Sequence, residues 1–198
     1  METIEIPVPK GVLGLIFDLD GTILDSMPLH HDGYNHALAP YNVSYSKEVF
    51  LSRGGIPTKE TLLMIAKEND IKNFDVEATL EAKRLFVENH LERIQLIDPV
   101  FDIMSAYHGK LPMAIGTGSN RKVVNEMFER FPLVGQYVSH VVTATDVTHF
   151  KPHPETFLKC AELINVRPED CVVFEDGKPG MQAAQAAGMK VIDVTKYL

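Results

Sequence analysis

The run Val12 to Phe17 is apolar throughout and of strand length, the pattern of a strand buried on both faces rather than of one face of a hairpin. It predicts a parallel sheet covered by helices. From about Leu24 to Leu96 the pattern changes to helical periods, in Lys59 to Asn69 and in Val76 to Ile94, with breaks at Pro40, Gly54-Gly55-Ile56-Pro57 and Asp70. After Pro99 strands and helices alternate. Strands are expected at Pro112 to Thr117, Val138 to Thr143, Cys171 to Phe174 and Val191 to Val194, and helices at Arg121 to Phe131, Pro154 to Ile164 and Pro179 to Ala187, the last stopped by Gly188. This order predicts an α/β fold, a doubly wound parallel sheet built from residues 1–24 and 97–198, with residues 25–96 inserted as a helical unit.

The chain has 198 residues, 45% of them hydrophobic and 23% charged, enough for one domain carrying a sizeable insertion. A formal net charge of −8 without a basic stripe argues against a nucleic-acid or anionic-membrane partner and favours a small-molecule ligand. Two cysteines, Cys160 and Cys171, make neither a disulfide framework nor a zinc motif and suit a reducing compartment. The opening METIEIPVPK has glutamates and prolines where a signal peptide needs basic residues and a long apolar run, and no apolar segment reaches membrane-spanning length. Cytoplasm is the expected location. No pattern sets an oligomeric state, and a monomer is the default.

The first strand ends on Asp18 and, one residue further, Asp20, followed by Gly21-Thr22. In open α/β sheets ligands bind beyond the carboxyl ends of the strands, so both acids lie at the mouth of the site. Two carboxylates that close call for a cation. The other strand ends supply Thr117-Gly118-Ser119, Lys151 and Glu175-Asp176. Four acids, hydroxyls and one lysine fit phosphoryl transfer. Asp18 and Asp176, with a backbone carbonyl near Asp20, would hold Mg²⁺. Lys151 and the hydroxyl and amide groups of Thr117, Gly118 and Ser119 would hold phosphate oxygens, aided by the positive end of the helix starting near Asn120. Asp18 would attack phosphorus, and Asp20 would protonate the leaving oxygen and then activate water. Ser119 is also expected to cap that helix.

These motifs, DxDGT at Asp18 to Thr22, the hydroxyl at Thr117, KPHPETF from Lys151 and FED ending at Asp176, resemble the haloacid dehalogenase superfamily of phosphotransferases in identity and order. The resemblance implies Asp18 as nucleophile, Asp20 as general acid and base, Thr117 and Lys151 as phosphate holders, and Asp18, Asp20 through its carbonyl, and Asp176 as magnesium ligands, with Glu175 behind or shared. It implies a phosphatase or mutase with a small helical cap like that of the β-phosphoglucomutases, most similar to bacterial sugar phosphatases acting on fructose 1-phosphate. The substrate would be a small phosphorylated metabolite. Gly177 stands where that subgroup commonly has serine, removing a hydroxyl behind the metal ligands.

Substrate contacts are expected from His30, Arg53, Gly55, Thr58 and Asn120. His30, His31 and His36 do not share a helix face at metal-ligand spacing and read as exposed or hydrogen-bonded side chains. A mutase needs a cap cation for a second phosphate, and Gly54 and Thr58 occupy the positions where the resembled mutases carry basic residues, although Arg53 and Lys59 lie one residue away and a shift of register would restore one, which keeps a mutase as the alternative. This favours hydrolysis over mutation. A phospho-aspartate receiver shares the clustered acids but has no need of roughly seventy inserted residues.

Overall fold

The apolar run at the start of the chain forms the central strand of the sheet. In the computed structural model, which describes residues 6–54 and 56–198, β1 (Gly14–Phe17) lies between β2 (Met113–Gly116) and β4 (Cys171–Glu175). The outer strands are β3 (His140–Val142) and β5 (Lys190–Asp193), giving the all-parallel order β3-β2-β1-β4-β5. The first glutamates of the leader reading, and Gly55 among the expected substrate contacts, lie outside the described residues.

Alternate residues of β1 serve two cores. Leu15 and Phe17 join Ile115, Val172 and Phe174 beneath α5 (Asp98–Tyr107), α6 (Arg121–Arg130) and α7 (Pro132–Tyr137). Ile16 faces the other way, with Ala114 and Val173, against α8 (Glu155–Leu163) and α9 (Lys178–Ala186). Phe17 and Phe174 stack with centroids 4.8 Å apart and are fully buried, each such side chain being worth roughly 1.5–3 kcal/mol of transfer free energy. Both faces are thus covered, as the unbroken apolar strands require.

Between β1 and α5 run α1 (Met27–Leu38), α2 (Lys47–Ser52), α3 (Thr58–Glu68) and α4 (Val76–Glu88). α1 packs extensively on α4, and Tyr34, Leu38, Tyr45, Phe50, Leu62 and Ile65 form a core of their own. The chain enters and leaves this unit side by side: Leu24 bridges Leu96, and the Asp25 amide donates to the Gln95 carbonyl at 2.9 Å.

Some elements differ from the sequence expectation. The helix expected over Val76 to Ile94 ends at Glu88, and a 3₁₀ turn, Leu91–Arg93, follows. Helices α5 and α7 were not expected. Each has proline at its first or second position, where the missing N–H is no loss, so Pro99 and Pro132 begin helices rather than break them. Among the described residues no helix is long and apolar enough to cross a membrane.

Candidate active site

Asp18 and Asp20 after β1, Thr117 to Ser119 after β2, Lys151 in the loop after β3, and Glu175 and Asp176 at the end of β4 open into one cleft, about 380 Å³ in volume, between the sheet and the inserted helices. At its floor the Lys151 ammonium donates to Asp18 Oδ1 at 2.6 Å and Glu175 Oε2 at 2.7 Å, all three side chains being buried. Glu175 Oε1 accepts the amides of Asp176 at 3.2 Å and Gly177 at 2.9 Å. With glycine at 177, the backbone N–H secures the neighbouring acid. Asp176 Oδ1 accepts from the Thr22 hydroxyl at 3.1 Å.

Two glycines allow this crowding. Gly21 has φ +87°, and a Cβ there would stand 2.3 Å from Asp176 Oδ2. Gly180 lets α9 approach Glu175, since a Cβ would fall 1.9 Å from Oε2. The first requires both the left-handed backbone and the missing side chain; the second requires only the missing side chain.

Asp18, Glu175 and Asp176 present carboxylate oxygens within 4.8 Å of one another. Burial, then Glu175, push Asp18 well above the usual carboxylate range, with Lys151 opposing. Burial and Glu175 likewise push Asp176 up to about 7. Lys151 is stabilised in its charged form, since Asp18 and Glu175 outweigh its own burial. One ammonium thus bonds two of the three acids, Asp18 and Glu175, and leaves Asp176 to the Thr22 hydroxyl. An all-oxygen donor set with excess buried negative charge fits a hard divalent cation such as Mg²⁺.

Asp20 belongs to a different network. Its Oδ1 accepts from Ser26 at 2.6 Å and His30 at 3.1 Å, and its Oδ2 accepts from Ser119 at 2.7 Å and, at 3.5 Å, from Thr117. Burial would raise its pKa, but the bonds from His30, Ser26 and Ser119 outweigh it and hold the carboxyl far below its usual range. His30 Nδ1 faces the Lys83 ammonium at 3.3 Å, so the network assigns the ring proton to Nε2, toward Asp20. Burial and Lys83 lower the His30 pKa, keeping the ring neutral. Lys83 itself is pushed down to about 8 by burial.

Lys83 was not anticipated. It lies over the Tyr34 ring, 4.7 Å from the centroid, and donates to the Thr58 hydroxyl at 3.4 Å. Its signal was present: Thr79, Lys83 and Val87 form the buried stripe of α4, and a lysine on such a stripe needs a reason.

The remaining candidates divide. Gly118 and Ser119 line the cleft. The helix cap expected of Ser119 falls instead to Asn120, whose Oδ1 accepts the Val123 amide at 3.0 Å, leaving the serine hydroxyl for Asp20. Arg53 lines the cleft but is paired with Glu68 at 2.5 Å. His31 is bound to the Tyr45 carbonyl at 2.7 Å and His36 stacks on Phe86.

The family model described as haloacid dehalogenase-like hydrolase matches residues 15–194. The chain is 38% identical over 182 residues to the fructose-1-phosphate phosphatase YqaB of Escherichia coli, covering 91% of this chain and 95% of that protein. It is 31% identical over 182 residues to a phosphorylated carbohydrates phosphatase of Thermotoga maritima, covering 90% and 82%. The crystal structure of a β-phosphoglucomutase from Clostridium difficile has the same fold, with a TM-score of 0.80 at 22% identity over 91% of this chain and 83% of that one. The family match takes in β1, the inserted helices and every strand end that supplies a site residue, and the chain belongs to the haloacid dehalogenase-like hydrolases.

Proposed function

We propose that the protein is a magnesium-dependent phosphatase of a small phosphorylated sugar, acting through a phosphoryl group carried on Asp18. The observation that carries this reading is the division between the two aspartates. Asp18 is tied to Lys151 among the metal-binding acids, whereas Asp20 sits in a separate network reaching across to His30 and Lys83. One carboxylate is placed to bond with phosphorus and the other to move protons. The sugar class rests on the two phosphatases that this chain resembles over nine-tenths of its length.

In the first step an Asp18 oxygen bonds to phosphorus as the bond to the sugar oxygen breaks, and Asp20, ionised at rest, takes a proton from the substrate's singly protonated phosphate and passes it to that oxygen. Asp20 is then ionised, the form that its hydrogen bonds favour, and takes a proton from a water that attacks phosphorus and releases Asp18. Lys151 offsets charge on the phosphoryl oxygens, and Thr117, Gly118 and Ser119 hold them. Magnesium bound by Asp18, Asp176 and the Asp20 carbonyl, with Glu175 beside them, would neutralise the acids and polarise the phosphoryl group.

Residues 25–96 act in this reading as a cap over the core of 1–24 and 97–198. The paired crossings at Leu24–Leu96 and Asp25–Gln95 suit a hinge, and His30, Arg53 and Thr58 meet the substrate from the cap side, opposite Asn120. Such a cap has no use in a phospho-aspartate receiver. A cytoplasmic setting fits Cys160 and Cys171, both free and buried.

The test is release of inorganic phosphate from a panel of phosphorylated sugars and other phosphorylated metabolites, ranked by kcat/KM, with Mg²⁺ and with a chelator. Turnover concentrated on sugar monophosphates and abolished by the chelator is expected. Preference for a non-sugar phosphoester overturns the substrate class, and chelator-resistant turnover overturns the metal.

A further inference from the structure

The loop that carries Lys151 has a second polar cluster on its outer side. His149, His153 and Glu155 present ligand atoms within 4.8 Å of one another, and none of them lines the cleft. The loop closes on itself through the His153 amide, which donates to the Phe150 carbonyl at 2.9 Å, and this brings the two imidazoles together with centroids 4.5 Å apart. Glu155 is fixed from below. Its Oε1 accepts the Thr148 amide at 3.0 Å and its Oε2 accepts the His149 amide at 2.9 Å, and the same Oε2 meets His149 Nδ1 at 2.9 Å. The Glu155 backbone N–H in turn donates to His153 Nδ1 at 3.3 Å.

We propose that His149, His153 and Glu155 form a binding site for a borderline divalent transition ion such as Zn²⁺, distinct from the all-oxygen site in the cleft. Two imidazole nitrogens and one carboxylate oxygen are the donors that favour zinc, nickel or copper over magnesium. Atoms 2.9 Å apart, as His149 Nδ1 and Glu155 Oε2 are, can share an ion at about 2.0–2.2 Å from each. His149 need only move its ring proton to Nε2 to present the Nδ1 lone pair. The carboxylate is already ionised, since the Thr148 and His149 amides draw its pKa down to about 2. Lys159, 3.2 Å from Glu155 Oε1, competes with the ion for the acid. Because the two histidines flank Lys151 by two residues on either side, an ion there pins the segment that delivers the ammonium to Asp18.

The test is calorimetric titration of Zn²⁺ into tag-free protein in excess Mg²⁺, which keeps the cleft acids occupied. One Zn²⁺ per chain is expected, with affinity falling in the H149A/H153A double variant by more than the ~10–100-fold that loss of an outer partner costs a metal site. Lys159→Met, which removes the competing cation and leaves the ligands in place, should bind Zn²⁺ more tightly than wild type. The proposal fails if wild type takes up no Zn²⁺ in excess Mg²⁺, if the double variant keeps its affinity within tenfold, or if Lys159→Met weakens binding.

Discussion

The Lys83 ammonium and His30 Nδ1 stand 3.3 Å apart, and this contact decides which imidazole nitrogen carries the proton. A cation at Nδ1 leaves the proton on Nε2, where it donates to the carboxylate. Lys83→Met frees the ring to adopt the wrong tautomer, and kcat should fall by about 10²-fold, the scale that misplacing a catalytic group commands.

The same substitution should raise stability. The wild-type fold buries an ammonium whose pKa drops from 10.5 to about 8, so the folded chain carries the full burial penalty at pH 7. Between about pH 8 and 10.5 the unfolded chain binds more protons than the folded one, and wild-type stability rises with pH. Lys83→Met should therefore melt higher than wild type at pH 7, by about 2–4 °C for each kcal/mol, with the gap closing toward pH 10.5. Thermal melts across that range check it; a variant that melts lower at pH 7 would show that the lysine is stabilising.

The two aspartates should fail differently. Asp18→Asn keeps the shape but loses both the attacking oxygen charge and a metal donor, so turnover should fall on the order of 10⁴-fold or more, as for loss of a catalytic nucleophile. Asp20→Ala leaves Asp18 able to attack a substrate with a good leaving group, yet slows the water that must follow. A phosphoryl adduct should then build up on the protein, visible by intact mass after rapid acid quench. No adduct with any substrate, or more than a tenth of wild-type activity in Asp18→Asn, would remove these roles.

Gly180 supports the site without touching substrate. An added Cβ would stand 1.9 Å from Glu175 Oε2, the same oxygen that accepts from Lys151 at 2.7 Å. Gly180→Ala must displace either α9 or the glutamate, so Lys151 loses an anchor. The expected outcome is a stability loss of about 1–3 kcal/mol, as for overpacking a core, with a fall in kcat that Mg²⁺ does not restore. Gln182→Ala, on the exposed face of the same helix, should do neither. Wild-type kcat in Gly180→Ala would show that the Glu175 contact is dispensable.

How far the sequence carried this site depended on whether a residue's place followed from strand order. Asp18 and Asp176 did: parallel strands send their carboxyl ends to one side, so the acids that follow β1 and β4 must meet, and Lys151 reaches them from the loop that follows β3 on that same side. Lys83 did not, because its partner His30 lies on α1, and only the packing of α1 against α4 brings the two together. Gly180 was hidden for a related reason. MQAAQAAG shows a small-residue face, but which acid that face meets is set by how closely α9 sits on β4. Helices α5 and α7 lay outside the sequence expectation, each being short and beginning at a proline, a residue that halts a helix from within yet starts one readily at its first turn.

The last expectation is that this enzyme hydrolyses sugar phosphates and does not interconvert them. A mutase must hold a second phosphate in its cap, and Gly54 and Thr58 occupy the loop positions where the resembled mutases place basic residues. The fold brings one cation back into that neighbourhood, since Lys83 reaches the Thr58 hydroxyl at 3.4 Å. That ammonium is already committed to His30 and the Tyr34 ring, and Arg53 is paired with Glu68. Glu77, Glu81, Glu88 and Glu126 line the same cleft and outnumber Lys59 and Arg84, which are paired with the first three. Burial and Glu88 push the Glu126 carboxyl above its usual range, a sign of crowded negative charge at the far wall. A second phosphate would meet more acid than base there. Incubation with β-glucose 1-phosphate, Mg²⁺ and a trace of the 1,6-bisphosphate should therefore yield inorganic phosphate faster than glucose 6-phosphate. The reverse order would mean that Lys83 leaves His30 to grip the second phosphate, and would make the enzyme a mutase.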